Sequence, residues 1–290
     1  MPLASFALVI LAAICHATWN LVAKRAADAG VAFVFAYNLV ACVAYAPWAL
    51  WLIATGALTP SGPVFGCLIA SALIHLAYSL ALQRGYQLAD LSVVYPVARG
   101  TGPMLSAIGA FLLLGEQVTW LRVAGLVGVV VGIAPIATDG HVGAFSRPAA
   151  RDGVRWGGAT GALIAGYTLT DAYAVKALLI PPVVLDWTSN TLRFVLLLPA
   201  VMRDRAGAMR RMRGYWALAI GVGLLSPLGY ILVLGALSLG APVSIVAPAR
   251  EMSMMIGALF GLLILGEHVG APRLAGCAVL LGGVLLLGSS

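Results

Sequence analysis

The sequence predicts an all-α integral membrane protein: ten transmembrane helices arranged as two inverted five-helix repeats. Composition is the first observation behind that expectation. Of 290 residues, 62% are hydrophobic and 9% charged, and the mean hydropathy is +1.02. Soluble domains carry about 25% charged residues. No soluble core could hide this much apolar surface, so lipid must be the main solvent. The second observation is a series of ten apolar windows, each close to the roughly 20 residues that a spanning helix needs. The third is that the chain matches itself at a shift of 151 residues.

The windows fall near 3–23, 31–54, 63–83, 91–114 and 119–138, then near 154–175, 183–202, 215–237, 242–265 and 272–289. The opening window resembles a signal-peptide core. It lacks the basic n-region and has a counterpart later in the chain, so it is expected to stay as the first membrane helix. Gly/Pro-rich "TGALTPSGP" ends the second window and Arg84 follows the third. The fourth, "PVARGTGPMLSAIGAFLLLGE", carries Arg99 and closes on Gly115-Glu116. The fifth and tenth contain "GLVGVVVG" and "GCAVLLGG", small-residue stretches suited to close helix packing or a homodimer contact. The sixth holds Asp171 and the seventh Arg193. Basic "RDRAGAMRRMRG" separates the seventh from the eighth, and the ninth repeats the fourth.

Residues 97–125 align without gaps on 248–276, pairing Arg99 with Arg250, Met104 with Met255, Glu116 with Glu267 and Arg122 with Arg273. Apolar runs resemble one another by chance, but charged residues in register do not. A second block, at a shift of 152, pairs Lys24 with Lys176, Asn38 with Asn190 and Pro47 with Pro199. The repeats are expected at 1–140 and 152–290. Five helices is an odd number, so the second repeat enters the membrane the opposite way round, a design common among transporters with a central site. Most basic residues fall after helices 1, 3, 5, 7 and 9. The positive-inside rule places those loops in the cytoplasm and both termini outside.

"LLLGEQVTWLRVAGLVGVVVG" and "LILGEHVGAPRLAGCAVLLGG", closing the two halves, resemble the EamA-domain family of the drug/metabolite transporter superfamily. So does the first helix, with "ICHATWNLVAKRA". The resemblance covers nearly the whole chain. It implies a secondary carrier without an ATPase part, of the bacterial inner-membrane exporter type, moving a small metabolite such as an amino acid. It does not transfer a particular substrate. Pro96 and Pro248 occupy different repeat positions, so the halves are expected to kink differently.

Ionisable residues inside a membrane usually face a cavity or a partner. Arg99 and Arg250 are the leading candidates for holding a carboxylate or other anionic group, and Tyr95 shares a helix face with Arg99. The alternative is that they snorkel or fix a neighbouring helix. Asp171, with Thr168, could bind a substrate amine or carry a coupled proton. Glu251, whose repeat mate is Gly100, could pair with Arg250 or titrate. Arg193 has no repeat mate and is expected to form a structural ion pair with Asp171 or Asp186. His16, Trp19 and Asn20 on helix 1, His75 and Tyr78 on helix 3, and Tyr230 on helix 8 complete the candidate cavity for a small amphipathic substrate. Glu116 and Glu267 are expected to clamp helix hairpins by accepting from the N–H groups that open the next helix.

Other classes recede. The basic residues sit in loops without an aromatic-laced patch, which argues against nucleic acid. The histidines and the four cysteines lack metal-ligand spacing, so no metal, cofactor or disulfide is expected. An intramembrane enzyme would need a constellation such as HExxH, which the sequence lacks. A membrane scaffold would not require arginines at repeat-matched positions.

Overall fold

The computed structural model describes residues 3–146, 148, 150–265 and 270–290. Among them the chain is helical, without strands. The first half forms α1 (Leu3–Lys24), α2 (Gly30–Ala54), α3 (Gly62–Leu88), α4 (Leu91–Leu113) and α5 (Trp120–Thr138). The second forms α6 (Ala150–Lys176), α7 (Pro182–Arg203), short α8 (Arg205–Arg211), α9 (Trp216–Ser238), α10 (Val243–Ala249), α11 (Met252–Leu265) and α12 (Ala271–Gly288). Each apolar window therefore holds a helix, with one departure. The window 242–265 is split at Arg250–Glu251 into α10 and α11, whereas its mate α4 runs unbroken through Pro96 and Pro103.

Helix is the expected state of these segments because lipid offers no partner for a bare backbone group. Polar side chains follow the same logic. Thr101, Ser106, Thr160 and Thr191 each donate to the carbonyl four residues back, at 2.6–2.8 Å. Start signals are local: Ser61 accepts from Val64 N at the head of α3, and Thr119 from Arg122 N at the head of α5.

Seven helical segments among the described residues are long and apolar enough to cross a membrane: α1, α2, α3, α5, α9, α12 and the stretch Val243–Phe260. The protein is a multi-pass membrane protein. Its outward face agrees with that, since Leu112, Leu113, Trp120 and Leu263 are each at least 75% exposed. The long helices outside that set, α4, α6 and α7, carry Arg99, Asp171, Asp186 and Arg193.

Helices from 1–140 pack chiefly against helices from 152–290: α1 on α9, α2 on α7, α3 and α4 on α6, α5 on α12. The α5–α12 contact is the closest in kind. A Cβ on Gly132 would lie 2.7 Å from Leu280 N, and one on Gly283 2.6 Å from Val129 N. Small residues let backbones meet where water supplies no hydrophobic drive. The small-residue stretches expected to serve close helix packing or a homodimer contact thus pack α5 against α12.

Candidate functional site

A cavity opens where α1, α3, α4, α6, α7, α9 and the end of α10 converge. It holds about 710 Å³ of atom-free space, including its open mouth. His16 and Trp19 (α1), His75 and Tyr78 (α3), Arg99 (α4), Tyr230 (α9) and Arg250 line it, joined by Tyr167 (α6) and by Asp186, Asn190 and Arg193 (α7).

The two arginines differ. Arg99 Nη1 meets Glu251 Oε1 at 3.3 Å and its Nη2 meets His16 Nε2 at 2.8 Å. A guanidinium only donates, so His16 Nε2 accepts and the imidazole is neutral. Tyr95 is not on the cavity wall. Its ring lies 5.5 Å from Arg99 Cζ, in cation–π range. Arg250 is 6% exposed, donates through Nη2 to Tyr167 Oη at 3.3 Å, and leaves Nε without a partner. No carboxylate lies within 4 Å of it among the described residues. Glu251, expected as one option to pair with Arg250, pairs with Arg99 instead, because the turn at 250–251 sends adjacent side chains to different neighbours.

Beside Arg250 lies an aromatic cluster. The rings of His75 and Tyr167 stack at 4.0 Å, and Tyr78 and Tyr230 meet Tyr167 edge-on at 5.7 and 6.0 Å. Tyr230 donates to Asp171 Oδ2, and His75 Nε2 stands 4.0 Å from the same oxygen. Asp171 is fully buried behind this cluster, with Oδ1 unpartnered, as is Thr168 Oγ1. Asn20 is exposed and turns its amide to the His16 carbonyl at 2.7 Å.

Among the described residues, Arg193 does not pair directly with a carboxylate. Its Nη2 donates to Asn190 Oδ1 at 2.7 Å, and Asn190 Nδ2 donates to Asp186 Oδ2 at 2.8 Å. Asn190 is thus a bridge in the expected ion pair. These three residues follow i, i+4, i+7 spacing, one face of α7, which is the sequence signal that marks them as a wall. Tyr167, also missed, lies one turn before Asp171 on α6.

Glu116 departs most from expectation. Its carboxylate does not serve the next helix. It accepts from Val243 N (2.6 Å), Ser244 N (3.0 Å) and Ser244 Oγ (2.6 Å) at the head of α10, and Lys176 Nζ lies 3.5 Å away. Thr119 already caps α5, so the carboxylate is free to reach the other half. Gly115, at φ +66°, makes the turn that aims it. Glu267 and His268 lie outside the described residues.

The family model of the EamA-like transporter family matches residues 3–138. Residues 3–138 are similar to that family, and the match ends where α5 ends. Chains of solved structures match as well, 28 of them. One, described only as "Crystal structure of protein", is 16% identical, covers 99% of this chain and 96% of its own, and superposes with a TM-score of 0.75. At that identity the likeness concerns the fold. The comparison with curated proteins returned no match.

Proposed function

We propose that this protein is a secondary carrier of the EamA type, for a small zwitterionic or anionic metabolite, an amino acid or a relative of one. It works by alternating access, with export the expected direction. One observation carries the reading: Arg250, a buried cation with no carboxylate partner among the described residues, faces a cavity walled by aromatic rings from α3, α6 and α9. A buried charge is costly unless paired, and an incoming carboxylate is the partner it lacks.

The ten-span arrangement fits this reading. The 22–27 residues of α4, α6 and α7 give at least about 33 Å at 1.5 Å each, enough for a core of about 30 Å. Arg99, Asp186 and Arg193 line the cavity, and Asp171 is buried behind its wall. The repeat in the sequence and the odd helix number per half support an inverted pair with domains at 1–140 and 152–290. The arginines around α8 and at the head of α6 support a cytoplasmic placement of those ends, both termini outside, in a bacterial inner membrane. Glu251 and Asp171, each with one unpartnered buried oxygen, are the groups suited to proton coupling.

The test is flux from liposomes containing the purified protein. Amino acids and related anions should leave protein-bearing vesicles faster than empty ones, and Arg250→Met should abolish the difference while the protein stays folded. Equal flux in wild type and Arg250→Met would refute the assignment.

A further inference from the structure

The cavity wall carries positive charge at Arg99, Arg250 and Arg193. It carries negative charge at a single residue among the described ones, Asp186. The two other acids nearby are withdrawn from it. Asp171 is fully buried and takes its hydrogen bond from Tyr230. Glu251 is 1% exposed and paired to Arg99. Asp186 itself is held in place from one side only: Asn190 donates to Oδ2, Arg193 holds Asn190, and Oδ1 takes no hydrogen bond from a described residue.

We infer that Asp186 is the ammonium-binding residue of this cavity, and that the substrate is a dipolar amine-carboxylate whose carboxylate lies against Arg250. The inference rests on the carrier reading and narrows its substrate class. Charge balance supports the narrowing. Three arginines and three carboxylates surround the cavity, and the His16 imidazole is neutral. With these groups ionised the site therefore balances, its charges spatially separated: among the described residues Arg250 has no carboxylate partner, and Asp186 Oδ1 takes no donor. A net-neutral dipolar molecule satisfies both and leaves the total unchanged. A simple anion would satisfy Arg250 and leave Asp186 facing excess negative charge in a low-dielectric site, where such imbalance is costly.

The experiment uses full-length protein in liposomes loaded with the common L-amino acids, their N-acetyl derivatives and their 2-oxo acids, with efflux read by mass spectrometry. Wild type should move at least one amino acid at least about tenfold faster than its two amine-blocked or amine-free analogues, the scale of losing one charge-assisted hydrogen bond. Asp186→Asn should erase that preference. Equal efflux of an amino acid and its 2-oxo acid by wild type would overturn the inference while leaving the carrier reading intact, and needs no variant to fold. An undiminished preference in folded Asp186→Asn would overturn it too. If no compound in the panel leaves faster than from empty vesicles, the carrier reading fails with it.

Discussion

Removing the Glu116 carboxylate should loosen α10 from a distance of more than a hundred residues in sequence. Glu116 receives three hydrogen bonds from Val243 and Ser244, and its side chain is 10% exposed. Each hydrogen bond to a charged group is worth about 1.5–3 kcal/mol. Three on one carboxylate do not add, and a lost helix cap costs about 1–2 kcal/mol. The Lys176 contact, on a side chain 28% exposed, adds about 0.5 kcal/mol. Glu116→Ala should therefore cost about 2 kcal/mol. At about 2 °C per kcal/mol for a chain of this size, the unfolding midpoint should fall by about 4 °C. Glu116→Gln keeps one acceptor and should lose about half as much. The assay is thermal unfolding of purified protein in detergent, combined with a double-mutant cycle using Ser244→Ala. A midpoint unchanged in Glu116→Ala would refute the reasoning. So would coupling to Thr119, the cap of α5, in place of Ser244.

Three further outcomes follow from the packing and the charge pairs. Gly132→Leu puts a Cβ 2.7 Å from a backbone nitrogen of α12. It should cost more than about 3 kcal/mol and abolish the monodisperse peak in size-exclusion chromatography, whereas Gly158→Ala, with nothing within 4 Å, should not. Arg99→Met leaves Glu251 buried without its cation and should cost about 3–5 kcal/mol, partly recovered by adding Glu251→Gln. Arg250→Met removes a cation with no carboxylate partner among the described residues, so thermal stability should hold while flux is lost.

The apolar windows translated into helices because lipid leaves the backbone no alternative, so length and hydropathy suffice to place them. Arg99 and Arg250 were legible because charge inside an apolar run needs a reason and these two occur in register. What stayed hidden depends on which helix faces which. Helical spacing shows that Asp186, Asn190 and Arg193 share a face, but not that this face borders a cavity rather than a neighbour. The reach of Glu116 to α10 rather than α5 is invisible in sequence, because both helix heads offer free N–H groups and only tertiary placement selects one. Proline was equally ambiguous. Pro96 and Pro248 each remove a ladder donor, yet α4 continues and the second helix breaks, so the residue type reports a missing bond and not the path beyond it.

The unpaired state of Arg250 itself has an origin in the repeat. Arg99 of the first half is neutralised by Glu251 of the second, at 3.3 Å. The matching contact would run from Arg250 to residue 100, which is glycine and offers no side chain. One substitution between the halves thus separates a structural ion pair from an open cation, and near-symmetric halves yield a site with one polarity. Restoring the symmetry should destroy it. A Cβ at Gly100 would meet only Val130 Cγ1, at 3.8 Å, an ordinary contact, so the backbone there accepts a side chain. In Gly100→Glu the added carboxylate should take Arg250 as its partner and compete with the substrate for it. The variant should unfold at or above the wild-type midpoint, since it pairs a buried charge, and should transport at less than about a tenth of the wild-type rate, the scale of one displaced charged hydrogen bond. Gly100→Gln, equal in size without the charge, should retain more activity. Full transport by a folded Gly100→Glu protein would show that Arg250 does not hold the substrate, and the argument from asymmetry would fail.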